Sequence, residues 1–530
     1  MVLSEGFGQQ WLHHWSKKAV SHQKAVANTQ TSSNPENLYI PQFLVSGQFP
    51  SSFKKPRIPN PSLFDFKAVT SEDLFRLPTV AECATHLEIL AAFYQLRQGV
   101  LSSTELDEVL GIKSEDRGEC RRERVPDSRR GISLFGGRYQ TKEVKVEDET
   151  FQKRRKTKWE FYKSLAVVRF TYWANAVTES MANPLAKGVN MPLPPIDVLM
   201  VVYVVLLGLP GAGVPRDDDG NATGNKPEGN AAMTYSTAIN GFAFPWSRIH
   251  DAINSNESDW QSDIDWFEAN VGMKFDLFEY LVSERKSYEI KMLLKKHGLA
   301  RGVSSSVKNT TASHNSERGI RIEEVNWALK NTGGTTSMDI NFLTSCQSAL
   351  KKGEAFEELC RGLDIHAAFV DNIERQLWIR SPCAAGTLSR AIDRYKNFCQ
   401  LKTLYPGYSD VLVPTLDIRL VWYTHLASSR QHLEPASLIS HNIGSNDYTR
   451  AGFTKTNELY QIRFSQSYRI CTCWDCEALR SAAEISEPDS EDSETGSLMA
   501  QSILDEVAYY RAVEIARRKG QSLLPVQISK

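Results

Sequence analysis

The chain has 530 residues, a formal net charge of −1 and a hydrophobic fraction of 41%; at roughly 100–200 residues per domain this allows about two to four domains with real apolar cores. The even charge balance excludes a chain-wide pull toward nucleic acid or an anionic membrane, though not a local patch. The opening MVLSEGFGQQWLHHWSKK has no basic start followed by a long apolar run, and the longest apolar run, Ile196 to Leu209, contains Asp197 and falls short of the ~20 residues of a bilayer span.

These features lead us to expect a protein inside the cell, cytoplasmic or nuclear, and not in a membrane. Cysteine usage agrees. Cys83, Cys120, Cys346, Cys360, Cys383 and Cys399 are scattered, while Cys471, Cys473 and Cys476 crowd together. That pattern fits free thiols in a reducing compartment better than a disulfide framework. The sequons at Asn221, Asn256 and Asn309 are then chance matches.

Residues 1–60, rich in Ser, Asn, Gln and Pro, read as a disordered leader. A first helical unit is expected over 61–300. THLEILAAFYQLRQGVL sets Leu87, Leu90, Ala91, Phe93, Tyr94 and Leu96 at helical spacing. Residues 112–158, with RRERVPDSRR and KRRKTK, read as a solvated charged loop leading into a helix; a nuclear-localisation or phosphate-binding patch over 117–158 is the sharper alternative. Aromatic residues for base stacking are sparse there, so nucleic-acid binding is weakly supported. Helical spacing resumes at Trp159, Tyr162, Ala166, Arg169, Phe170 and Trp173, and PPIDVLMVVYVVLL follows. The Gly/Asn/Asp-rich stretch 208–232 reads as a disordered loop. Beyond it, Trp260, Ile264, Phe267 and Val271 mark another helix, and Gly298 a helix stop.

A polar linker at 301–320 separates a second helical unit over 321–480. An acidic linker at 481–497 leads to an isolated amphipathic helix at 498–520, striped by Ile503, Val507, Tyr510 and Val513.

The two units resemble each other. Aligning Asp197 with Asp417 brings Pro194 onto Pro414, Met200 onto Leu420, Val201 onto Val421 and Tyr203 onto Tyr423; upstream, Ala166-x-x-Arg169-Phe170 matches Ala391-x-x-Arg394-Tyr395. The expected fold is therefore mainly α, two diverged copies of one helical unit packed as a helical array. Each proline sets an extended entry to a helix, and each aspartate sits in the first turn, where a carboxylate meets unpaired amides. Thr415 is placed to cap the second helix. Pairing of the aspartates with Arg169 and Arg394 is compatible with this; a catalytic Asp417 is the alternative.

In the second copy the helix runs on as LVWYTHL, and His425 aligns with Val205. An imidazole on an apolar face is either a satisfied core residue or a ligand. CTCWDC offers Cys471, Cys473 and Cys476 at C-x-C-x-x-C spacing, which lets two or three sulfurs reach one soft cation such as zinc. His425, His441 and two of these cysteines would complete a Cys₂His₂ tetrahedron. A reduced thiol cluster packed under Trp474 and a redox-active pair at Cys473 and Cys476 are the other readings. His432 sits near Pro435 past a predicted helix end; Glu434 and Asp447 are unspecified oxygen donors.

VPTLDIRLVWYTHL, followed by YRICTCWDC, resembles the helical region of the glycine-rich domain-containing proteins of plants and fungi, a domain of unknown function. PTVAECATHLEILAAFYQLR, AVVRFTYW, PPIDVLMV and GFAFPWSRIHDAI extend the resemblance over 60–480. Where the family has Trp-His, this chain has Val202 and Tyr203; where it has Trp-His-Thr-His, this chain has Trp422, Tyr423, Thr424 and His425. The glycine-rich tail is absent from the sequence. The resemblance implies a regulator of growth or stress responses without an established enzyme activity. Some fungal relatives are labelled 2-oxoglutarate-dependent sulfonate dioxygenases. That chemistry wants two His and one carboxylate in a facial set. His86-x-Glu88 and His432-x-Glu434 have the spacing, but in such enzymes the pair sits on a β-barrel, so we read both as chance.

The resulting expectation is a non-catalytic interaction or regulatory protein with protein partners and a structural zinc or thiol knot. The alternative is a metal-dependent enzyme, in an accessory step of specialised metabolism, using Asp417, His425 and the cysteines.

Overall fold

The computed structural model describes residues 61–66, 77–112, 116–126, 139–147, 151–182, 192–208, 244–254, 261–299, 320–331, 336–408, 411–428, 446–485 and scattered positions from 500 to 514. The expected leader at 1–60, His432, Glu434, His441, the three sequons, almost all of the 208–232 loop and the 301–320 linker, and most of the acidic linker lie outside them.

The described residues are mainly α-helical, as the periodicity predicts. In chain order they form α1 (Val80–Ser102), α2 (Thr104–Val109), β1 (Asp116–Pro126), β2 (Tyr139–Glu147), α3 (Phe151–Ala182), α4 (Ile196–Leu206), α5 (Trp246–Asn254), α6 (Gln261–Val271), α7 (Leu277–Val282) and α8 (Tyr288–Leu299). Then follow α9 (Ile322–Lys330), α10 (Ser337–Lys351), α11 (Glu354–Gln376), α12 (Ala384–Leu404), α13 (Leu416–Ser428), α14 (Asn446–Phe464) and α15 (Trp474–Ile485). No described helix is long and apolar enough to cross a membrane.

The charged segment 112–158 departs from the expected loop. β1 and β2 pair antiparallel, with Arg122 opposite Glu143 and Glu123 opposite Lys142. The register sets residues of opposite charge at partner positions, and the alternation in KEVKVE has the period of a strand. Charge density hid a two-residue period that a search for apolar runs does not detect.

The chain forms two compact units that interleave in sequence. One draws on 97–165 and 277–351. In it Ser103 caps α2 by accepting from the Leu106 amide at 3.0 Å. Lys158 is fully buried, donating to the Ser103 carbonyl at 2.8 Å and meeting Asp107 at 2.7 Å. Lys286 ends α7 by donating to the carbonyls of Tyr280, Leu281 and Ser283, and burial pulls its pKa down to about 8.

The other unit draws on 1–96, 166–276 and 352–530. Its core includes α4 and α13. Every residue of α4 from Ile196 to Val205 is buried, as the absence of any polar face predicts. α11 packs on α4, and α12 packs along α13. At the start of α1, Thr79 and Glu82 form a reciprocal box: the Thr79 amide donates to the Glu82 carboxylate at 2.7 Å, and the Glu82 amide to the Thr79 hydroxyl at 3.2 Å.

Candidate metal centre

Two buried clasps organise this unit. Arg169 on α3 donates from Nε to Asp197 at 2.7 Å and from its other nitrogens to the carbonyls of Lys274 and Phe275, each at 2.8 Å. Arg394 on α12 donates from Nε to Asp417 at 2.7 Å, to the Thr415 hydroxyl at 3.1 Å and to the Tyr468 carbonyl at 3.0 Å. Each guanidinium also lies beside a ring of the third helix, Phe267 at 5.0 Å and Tyr460 at 6.0 Å.

The likeness reaches the backbone. The Leu193 amide donates to Asp263 on α6, and the Val413 amide to Thr456 on α14, both at 2.9 Å. α6 stops at Gly272 with φ 70°, and α14 at Ser465 with φ 52°, both left-handed. Both aspartates therefore serve a fixed backbone geometry. Burial pushes the Asp197 carboxyl up, against the pull of Arg169. Thr415 takes the capping position, its carbonyl accepting from the Arg419 amide, but its hydroxyl serves Arg394.

His425 has a dedicated partner, Tyr395, whose hydroxyl lies 2.8 Å from Nδ1. In the sequence alignment of the two segments, the residues at these positions are Phe170 and Val205. The hydroxyl and the imidazole thus arrive together on facing helices, each satisfying the other. Burial lowers the pKa of His425, with Glu82 opposing.

A second polar cluster lies deeper. The Thr424 hydroxyl donates to the Leu420 carbonyl at 2.9 Å, which leaves its oxygen to accept from His86 Nδ1 at 2.8 Å. His86 Nε2 then accepts from Tyr203 Oη at 2.6 Å. His366 lies beside Tyr203, ring centroids 5.3 Å apart. His86, Tyr203 and Thr424 are fully buried, and burial holds His86 well below the usual imidazole range. Both nitrogens of this neutral ring are spoken for. His86 and Glu88 both lie within helix α1, as the sequence predicts.

The thiols form the third constellation. The ligand atoms of Cys471, Cys473 and Cys476 all lie within 4.8 Å of one another, and the group does not extend to His425. Cys473 stands at the N-cap of α15, its carbonyl accepting from the Glu477 amide at 3.0 Å, so the sulfurs gather at the positive end of a helix. The Cys471 thiol is exposed and held below its usual range, first by the Cys473 amide and then by the other two thiols. Cys476, donating to its neighbours, is pushed up to about 12. Zinc–sulfur bonds of ~2.3 Å put sulfurs roughly 3.8 Å apart, inside the 4.8 Å within which the three ligand atoms lie.

The loop carrying these thiols is pinned from both sides. Trp378 donates to the Thr472 carbonyl, and Trp474 to the Gln376 carbonyl, each at 2.9 Å. Arg390 on α12 donates to Glu477 at 3.0 Å, and Arg480 donates to both Glu477 and the Cys471 carbonyl at 2.6 Å. The spacing of the cysteines predicts the cluster; nothing local in the sequence reveals Arg390, Arg480 and Trp378, which come from a turn of helix or a distant segment. Tyr395 was legible only by comparing copies, since Phe170 becomes Tyr where Val205 becomes His.

A family model described as glycine-rich domain-containing protein-like matches residues 309–434. The match takes in Arg394, Tyr395, Asp417 and His425 and ends before the cysteines. No curated protein and no solved structure matches the chain.

Proposed function

We propose that this chain, a glycine-rich domain-containing protein-like protein through residues 309–434, is a non-catalytic intracellular interaction or regulatory protein whose cysteine knot holds a structural zinc ion. The observation that carries the reading is the convergence of three thiols at the N-terminus of α15. With a fourth protein ligand, for which His441 is the candidate, such a site would be closed to substrate, and structural thiolate sites contribute folding energy. The groups with the most catalytic character, Asp417 and His425, are taken up by Arg394 and Tyr395. They support helices in this reading.

We further infer two diverged copies of one helical unit, α3, α4 and α6 answering to α12, α13 and α14. The paired clasps, the paired amide contacts and the paired left-handed stops support it.

Elemental analysis of the purified chain tests the knot. About one zinc per chain is expected, lost in Cys473→Ser and unchanged in His425→Ala. His441→Ala tests the fourth ligand: loss of zinc supports it, and retention removes His441 from the site. A redox-active iron or copper with an open position would overturn the non-catalytic reading.

A further inference from the structure

The C-terminal helix is not isolated. Ile503, Val507 and Tyr510 are buried in one cluster with Cys383 and the α15 stripe Trp474, Ala478 and Ala482. Ion pairs flank the seat: Arg511 meets Asp475 at 2.9 Å, its guanidinium 5.9 Å from the Trp474 ring, and Arg380 meets Glu514 at 3.0 Å.

Three features set this contact apart from ordinary core packing. The inserted residues fall at i, i+4 and i+7, the single apolar stripe with which an amphipathic helix lies in a groove. The seat is built from alanines beside a tryptophan, which lets a helix approach closely and gives it an aromatic wall. Finally, residues 486–499 link the helix to α15, and their sequence is acidic and serine-rich.

We propose that this seat is a helix-binding groove, occupied in cis by the C-terminal helix and open to a partner helix of the same chemistry. Such a helix carries aliphatic residues at i and i+4, an aromatic residue at i+7, a basic residue at i+8 to meet Asp475, and an acidic residue at i+11 to meet Arg380. The proposal deepens the interaction reading above by naming the partner class. It also places the knot: Cys473 and Cys476 bracket Trp474 and Asp475, so whatever fixes the sulfurs fixes the wall and the anchoring carboxylate of the groove.

A labelled peptide of residues 498–520 added to the full-length chain tests the proposal. A tethered ligand competes at an effective concentration near millimolar. Full-length Val507→Asp, whose own helix is released, is therefore expected to bind the peptide at least ~10-fold more tightly than the wild-type chain. A peptide carrying Arg511→Glu should bind Val507→Asp poorly and regain affinity when Asp475→Lys is added to that chain. Arg511→Glu in the full-length chain releases the helix more gently and replaces Val507→Asp should circular dichroism show that variant unfolded. Equal binding to wild-type and released chains, or binding to neither when both are folded, overturns the groove. Zinc measured on the same samples separates the two readings: zinc without peptide binding removes the groove and leaves the knot, and peptide binding without zinc does the reverse.

Discussion

The Arg169–Asp197 and Arg394–Asp417 clasps share an Nε–carboxylate bond of 2.7 Å, a carbonyl acceptor and a ring beside the guanidinium. The helices around them differ. Phe170 and Val205 pack without hydrogen bonds of their own side chains, where Tyr395 and His425 bond to each other. Past the Arg394 clasp the chain continues from Tyr468 directly into the cysteine loop and α15. What the regions share is therefore the machinery that aligns three helices. What separates them is where the second acquired polar chemistry. An aspartate in the first turn of a helix, suggestive in isolation, becomes structural once its twin is found doing the same job.

The comparison breaks most readily at the clasps. Arg169→Ala and Arg394→Ala each leave a buried carboxylate unpaired, which is expected to cost about 3–5 kcal/mol in denaturant unfolding. Similar losses in the two copies would sharpen the equivalence; a loss under ~1 kcal/mol at either would end it. Next comes the knot, which has no counterpart in the first copy. Zinc held at ~100 times its dissociation constant should stabilise the chain by roughly 2–3 kcal/mol, so chelation should lower the melting temperature of the wild type and leave Cys473→Ser unmoved. An equal response of both proteins to chelator would detach the metal from these sulfurs.

The same comparison shows why some of this was legible in sequence and some was not. Helices α3, α4, α12 and α13 follow from apolar spacing, because a core-facing stripe repeats every turn. The arginine–aspartate pairing is compatible with the aligned segments but not dictated by them, because a first-turn aspartate serves the helix amides just as well. The relation of α6 to α14 is faint in sequence: Phe267 against Tyr460, Phe275 against Tyr468 and Asp265 against Glu458 keep their type, while Asp263 and Thr456 perform one task with different chemistry. The ribbon at 116–147 was hidden by its charge. The C-terminal stripe of Ile503, Val507 and Tyr510 was visible, but its seat was not: an alanine pair on α15 carries no signal until a helix lies on it.

The polar exchange on the facing helices offers a finer test. Tyr395→Phe and His425→Val each remove one side of the hydroxyl–imidazole bond and should cost about 1 kcal/mol; together they give the Phe and Val found at the aligned positions 170 and 205, and the double variant should be less destabilised than the sum. Strict additivity would mean that hydroxyl and imidazole do not depend on each other.

The smallest expected effect is on pH dependence, and it belongs to His86. Burial holds this ring neutral, with Nδ1 donating to Thr424 and Nε2 accepting from Tyr203. The unfolded chain protonates it near ~6.5, so below that pH the unfolded state binds a proton that the folded state refuses. Stability is thus full above ~6.5 and declines as pH falls, by about 0.8 kcal/mol at pH 6 from this one ring. Denaturant midpoints at pH 7.5 and pH 6 should differ accordingly, and His86→Gln, which keeps one donor and one acceptor but does not titrate, should reduce the difference. An unchanged difference would show that His86 takes up its proton without disturbing the Thr424–Tyr203 chain, and so that this polar contact between α1, α4 and α13 is looser than its hydrogen-bond lengths imply.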